Sequence, residues 1–257
     1  MGGGGYLGAI FDVDGVLVDS PHERAWREAL RLLMEGEWAG VRGGTRWSAE
    51  GFTGRVYQEV LSGKPRIRGA RDCLAYFGVP DVEGRAEVFA ECKQRLLARF
   101  AEAGEFSAYP DAVRFVLAVR EAGIATAVAS SSRNAGFFLR RIGVGGSAGE
   151  GGGSSAVVLL DCFDVDVSGR WAGPGKPDPG IFLMAAEELQ VAPGDCFVVE
   201  DAVSGVRAAK NGGLAALGVA RAGERELLEA AGADLVVATL DEVDVAVLPV
   251  HRLTSRE

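Results

Sequence analysis

Long apolar runs are missing from this 257-residue chain. No stretch approaches the roughly 18–20 residues that a membrane span requires, so no helical anchor is expected. Cysteine is scarce and scattered: Cys73, Cys92, Cys162 and Cys196 form no CxxC pair, and neither of the two histidines lies near them. That leaves nothing for a zinc cage or a disulfide frame and predicts reduced, packed thiols in a cytoplasmic protein. Positive charge is also short, with 27 Lys+Arg against 36 Asp+Glu and a net charge of −9. A broad electrostatic grip on nucleic acid or an anionic membrane is therefore not expected, and no basic aromatic platform argues otherwise. The opening MGGGGYLGAIF lacks the basic flank and long apolar stretch of a secretory signal. What remains is globular composition, 48% hydrophobic and 25% charged, which excludes a mostly disordered chain. Glycine is plentiful and partly clustered. Gly2–Gly5 reads as a frayed terminus and Gly143–Ser155 as a mobile surface loop.

Four short runs rich in Val, Ile, Leu and Ala read as buried strands: Leu7–Phe11, Ile124–Ala129, Cys196–Val199 and Leu214–Ala220, with Asp234–Ala238 as a further candidate. Helical patterns at Pro110–Glu121, Phe137–Ile142, Pro179–Leu189, Ser204–Lys210 and Glu224–Ala230 alternate with them. Alternation of this kind predicts an α/β fold with a doubly wound, Rossmann-like parallel sheet, whose ligands bind beyond the carboxyl ends of the strands. Between Pro21 and about Gly104 the alternation stops and only helical patterns occur, at His22–Glu35, Val56–Leu61, Ala70–Phe77 and Val82–Ala103. The expected organisation is a catalytic core of residues 1–20 and 105–257 with an inserted all-helical cap domain, 21–104, above the ligand edge.

The first strand runs into Asp12-Val13-Asp14-Gly15. Residues two apart on extended backbone share a face, so the two carboxylates project together and Gly15 lets the chain turn. Near a protein surface their repulsion is on the order of 4 kcal/mol at 4 Å, which a divalent cation, a shared proton or a lysine must offset. Another strand ends in Glu200-Asp201. Acidic oxygens at that density, without Cys or His, favour Mg²⁺ over zinc. Lys176, in Gly175-Lys176-Pro177-Asp178-Pro179, sits among turn formers ahead of a helix, while Ser130-Ser131-Ser132-Arg133-Asn134 leads from a strand to a helix amino terminus, a ready anion site. Each element alone reads as a turn, a polar loop or a solvated charge. Their shared place at successive strand ends points to phosphoryl transfer, without separating nucleophile from acid.

These motifs resemble the haloacid dehalogenase superfamily of aspartate-nucleophile phosphotransferases, in its helical-cap, β-phosphoglucomutase-like branch, over nearly the whole chain. DVDGVLVDS is similar to its first motif, Ser130 to the second, Lys176 in GKPDP to the third and Glu200-Asp201 in VVEDAVSGVRAAKNGG to the fourth. The resemblance implies Asp12 as nucleophile through an aspartyl-phosphate, Asp14 as general acid and base, and Ser130 and Lys176 on the transferring phosphoryl group. It also implies Mg²⁺ held by Asp12, the Asp14 carbonyl and Asp201, with Glu200 nearby.

His22-Glu23-Arg24-Ala25-Trp26 resembles the branch's HxxAW stretch, two residues closer than usual to Asp19-Ser20. Ser20-Pro21-His22-Glu23 also fits a helix capping box, and Ser20 could serve both purposes. Arg66 in Gly63-Lys64-Pro65-Arg66, with Ser132, Arg133 and Asn134, resembles the grip on a second, non-transferring phosphate; Ser62 stands where the mutases have lysine, whereas Arg68 and Arg71 read as solvated helix charges. The expected ligand is a small phosphorylated metabolite such as a sugar phosphate, and the expected assembly a monomer or weak dimer. A phosphatase is favoured over a β-phosphoglucomutase, with a non-catalytic phosphate-binding regulator as a third reading.

Overall fold

The computed structural model describes residues 5–144, 157–221 and 223–256. Gly2–Gly4 and all of the expected Gly143–Ser155 loop beyond Val144 lie outside them. Strand β1 (Gly8–Phe11) and the short β2 (Val18–Asp19) come first. A helical stretch follows: α1 (His22–Glu35), α2 (Ala39–Arg42), α3 (Gly54–Val56) running into a π-turn at Tyr57–Leu61, α4 (Arg66–Phe77) and α5 (Val82–Glu102). Then come β3 (Ser107–Ala108), α6 (Pro110–Glu121), β4 (Ala125–Val128), α7 (Ala135–Leu139), β5 (Val165–Asp166), α8 (Gly180–Leu189), β6 (Cys196–Glu200), α9 (Val203–Asn211), β7 (Ala215–Val219), α10 (Arg225–Ala230) and β8 (Leu235–Val237).

Six strands form one parallel sheet in the order β5-β4-β1-β6-β7-β8. The chain leaves central β1 toward β4 and β5, then returns on the other side, so β1 borders the crevice where such sheets take ligands. Phe11 pairs with both Val128 and Val199. That register puts Asp12 level with the end of β6 at Glu200 and with the turn that carries Ser130. Both sheet faces are covered, one around Phe11, Phe115 and Phe138 and the other around Ile10, Phe182 and Val198.

The expected strands are present, each within a residue or so of its bounds. β5 was not expected: two residues in an acid-rich stretch carry no apolar run. The chain enters and leaves the helical stretch through β2 and β3, which pair antiparallel as Val18↔Ala108 and Asp19↔Ser107. Within it, α1 buries Ala25, Trp26, Ala29, Leu30, Leu33 and Met34 on one stripe, and Trp26 meets Phe89 of α5 edge to face at 4.9 Å.

Three local expectations need correction. The capping box does not form, since Pro21 precedes α1 and no side chain caps it. Helix α4 begins at Arg66 rather than Ala70, because Pro65 fixes the entry; it ends at Gly78, whose φ of 70° closes the last turn. Helix α7 starts earlier than expected and has five residues, too few for a strong helix dipole.

Candidate active site

Four buried groups meet at the carboxyl edge of the sheet. The Lys176 ammonium, fully buried, donates to Asp12 Oδ1 at 2.6 Å and Glu200 Oε1 at 2.5 Å. Glu200 Oε2 accepts the backbone N–H groups of Asp201 and Ala202 at 3.0 and 2.9 Å. Gly205 makes room for this carboxylate, because a Cβ there would lie 1.8 Å from Glu200 Oε1. Burial alone would lower the Lys176 pKa, but Asp12 and Glu200 raise it above the ordinary lysine range, so the ammonium stays charged. Asp201 is pushed well up by burial and by the charges of Glu200 and Asp12.

Asp14 stands on the next turn. Gly15 has φ 88°, and a Cβ there would fall 2.1 Å from Asp201 Oδ2, so the residue is fixed both by backbone conformation and by the close acid. Burial raises the Asp14 pKa, against a hydrogen bond with Ser20 and the charge of Lys93. His22 Nε2 lies 3.5 Å from Asp14 Oδ1, and its Nδ1 lies 3.0 Å from Lys93 Nζ. Burial and the neighbouring Lys93 hold His22 well below its ordinary pKa, hence neutral. With Lys93 donating to Nδ1, the ring proton sits on Nε2 and faces Asp14.

Two residues here escaped the sequence reading. Lys93 falls on the buried stripe of α5 that holds Ala86, Phe89, Ala90, Leu96 and Leu97; a lysine at a core position of an amphipathic helix was the available signal. Arg221, just after β7, donates to the Gly15 and Val16 carbonyls at 3.0 Å each and to Asp111 Oδ2 at 3.0 Å, over the Tyr109 ring. It ties the turn bearing Asp14 to the segment returning from the helices, and nothing but its place at a strand end marks it in the sequence.

Burial lowers the Lys93 pKa to about 7, against the attraction of Asp14. Between that value and the ordinary lysine range the unfolded chain holds a proton that the folded chain has released, so stability rises with pH there. Lys93→Met should flatten that rise and melt higher than wild type at about pH 6, the gap narrowing by about pH 10. Equal slopes in calorimetric melts across that range would contradict the assignment.

The helical stretch closes onto the core through several contacts. Ser204 Oγ donates to the Ser62 carbonyl at 2.8 Å, Ser131 Oγ to the Gly63 carbonyl at 3.2 Å, and Gln58 Nε2 to Asp201 Oδ2 at 3.4 Å. Arg66 bonds Gln94 Oε1 at 3.0 Å, and Gln94 Nε2 bonds Asn134 Oδ1 of the core at 3.2 Å. Between the helical stretch and the core lies a part-open cavity of about 490 Å³ with Asp12 and Asp14 on its wall and Lys64, Arg66, Lys93 and Arg133 around it. Ser130 and Ser132 also line it, their hydroxyls accepting the Ser132 and Asn134 N–H groups at 3.1 and 3.2 Å.

Ser62 is buried, its backbone carbonyl accepting from Ser204 Oγ, and both Ser62 and Lys64 line the cavity, Lys64 lying 2.6 Å from Asp72. Arg68 and Arg71 point outward near Asp72 and Glu83. A second cavity, about 550 Å³, also reaches Asp14 and is lined by acids including Asp19, Glu23 and Asp201.

Among the described residues, no three acidic, histidine or cysteine side chains stand close enough to cage a metal on their own. Both Glu200 oxygens are engaged by Lys176 and backbone N–H groups. The fit is with a hard cation that also takes backbone and water oxygens, as Mg²⁺ does. Asp12, Glu200 and Asp201 gather around the buried Lys176 ammonium, Asp14 stands on the next turn near the buried Lys93, and the absent Cβ of Gly15 leaves the Asp201 carboxylate its place.

The haloacid dehalogenase-like hydrolase family model matches residues 6–213. The chain belongs to that family. Its enzymes include phosphatases and phosphomutases, and this chain is an enzyme of that kind. It is 29% identical over 252 residues to a β-phosphoglucomutase of Bacillus subtilis, covering 93% of this chain and 92% of that one. A phosphorylated carbohydrates phosphatase of Thermotoga maritima is 30% identical over 206 residues, 80% of this chain and 81% of its own. Among solved structures, the β-phosphoglucomutase of Pyrococcus sp. strain ST04 superposes with a TM-score of 0.67 at 32% identity, covering 94% of this chain and 96% of that one. No helix among the described residues is long and apolar enough to cross a membrane, and all four cysteines are free and buried.

Proposed function

We propose that the protein is a cytoplasmic, Mg²⁺-dependent phosphatase of small sugar phosphates, with residues 21–104 as a cap that closes over the substrate. The observation that carries hydrolysis is the position of Asp14 between two cavities. The basic one suits an anionic ester. The acidic one offers water a separate approach to the general base.

Asp12 attacks phosphorus to form an aspartyl-phosphate while Asp14 gives its proton to the departing sugar oxygen. Asp14, left as carboxylate, then takes a proton from water, which attacks the phosphoryl group and restores Asp12. Burial raises the Asp14 pKa above the ordinary carboxylate range, the direction a group that both gives and takes a proton requires. Lys176 orients Asp12 and faces the charge of the phosphoryl group, and Ser130 binds it. His22, held by Lys93, stands 3.5 Å from Asp14 with both facing atoms unpartnered, so a small further approach of the helical segment would let it donate to Asp14 and tie acid and base chemistry to closure. Asp12, Asp201 and the Asp14 carbonyl would hold Mg²⁺, backed by Glu200; when bound, the ion supplies charge neutralisation for the phosphoryl oxygens.

A mutase is the second reading, favoured by the Arg66–Gln94–Asn134 chain and Arg133, which would grip a second phosphate. The two separate on incubation of the enzyme and Mg²⁺ with β-glucose 1-phosphate and a trace of the 1,6-bisphosphate. Inorganic phosphate should accumulate. Rapid glucose 6-phosphate formation without comparable phosphate release would establish the mutase instead.

A further inference from the structure

We propose that Trp171 is the substrate-specificity wall of the cavity, selecting phosphate esters whose carbon skeleton is a closed sugar ring; this rests on the sugar-phosphatase reading above. Trp171 precedes Lys176 on the loop that enters α8 and lines the 490 Å³ cavity. Its ring is seated by two glycines: a Cβ on Gly180 would lie 2.1 Å from Trp171 Cζ2, and one on Gly173 2.5 Å from it. The indole N–H donates to the Pro174 carbonyl at 2.8 Å. With that donor engaged locally, the ring offers its surroundings apolar surface.

The rest of the cavity wall mixes charged and hydroxyl side chains, suited to phosphate, with Tyr57 and with Leu61, Ile67 and Ile181, aliphatic groups that offer no flat face. The other indole there, Trp26, is 5% exposed and already packed against Phe89, with Lys93 Nζ 5.2 Å from its ring centre. Trp171 also stands where the cap lands. Pro65, beside Arg66, fills the space above Gly175, where a Cβ would come within 1.9 Å of its ring. A closed cap therefore presses the substrate's carbon frame toward a fixed aromatic wall. A cyclic sugar presents a flat face of C–H groups to such a ring, and an open polyol does not hold one.

The test compares wild type, Trp171→Ala and Trp171→Phe on β-glucose 1-phosphate and on glycerol 3-phosphate, with phosphate release read in each case. Trp171→Ala should raise KM for the ring sugar about tenfold and for glycerol 3-phosphate at most about twofold, and Trp171→Phe should recover most of the loss. β-Glucose 1-phosphate should also quench tryptophan fluorescence of the Asp12→Asn protein, and lose that quench when Trp171→Phe is added. Equal KM changes for both esters, or none, would overturn the inference. A wild type that prefers glycerol 3-phosphate would overturn it while leaving the phosphatase reading intact. If wild type hydrolyses neither ester, the sugar-phosphatase reading fails; absence of the fluorescence quench then overturns the Trp171 assignment separately.

Discussion

Asp12→Asn should abolish phosphate release from every ester, by roughly 10⁴-fold or more, the scale of losing a nucleophile in a covalent mechanism. The amide keeps the shape of the carboxylate and cannot form the acyl-phosphate. The fold should survive. Lys176 retains Glu200 at 2.5 Å, and the cluster loses one of its mutually repelling buried acids. Asp12→Asn should therefore melt no lower than wild type in metal-free buffer while losing turnover. Calorimetric melts check the first half, and single-turnover phosphate release, with acid quenching and mass analysis for a phosphorylated chain, checks the second. Retention of more than about 1% of wild-type turnover would show that another group takes the phosphoryl group.

The core elements were legible because parallel strands covered on both faces leave continuous apolar runs, and punctuation marks some of the helices between them, as Pro110 and Gly123 do around α6 and Pro179 does before α8. Asp12, Lys176 and Glu200 were legible as a group because chain order places them at strand ends, and the register Phe11↔Val128 and Phe11↔Val199 makes those ends neighbours. What escaped depends on contacts between distant segments. β5 and the β2–β3 pair are two residues long per strand, below the length at which alternation can be read. Apolar periodicity became readable only from Ala70, so the first turn of α4, which Pro65 starts at Arg66, was missed. His22 fitted both a capping box and the histidine of the resembling family; no side chain caps α1, and Lys93 of α5 and Asp14 of the core lie beside its ring, contacts that local spacing does not reveal.

Lys176→Met should cost both turnover and stability, and the stability loss should have a distinctive pH dependence. Methionine roughly fills the lysine's volume, so the packing around the side chain is largely kept and the missing charge decides the outcome. Asp12 and Glu200 would remain buried without their ammonium partner, and leaving a buried charge unpaired costs about 3–5 kcal/mol. For a chain of this size that is a drop in Tm of about 10 °C or more at neutral pH. Both carboxylates are already raised above their ordinary pKa by burial, against the pull of Lys176; removing the lysine raises them further. An acid whose folded pKa exceeds its unfolded value binds more protons when folded, so stability is gained as pH falls and lost as pH rises through the raised pKa. The Lys176→Met protein should accordingly recover part of its Tm between about pH 7 and pH 5, with a steeper gain than wild type. Mg²⁺ should raise the Tm of metal-free wild type, because a ligand that binds the folded acids alone stabilises by mass action. A variant melting within about 2 °C of wild type at neutral pH, with a parallel pH profile, would mean that Lys176 does not hold the acid cluster together.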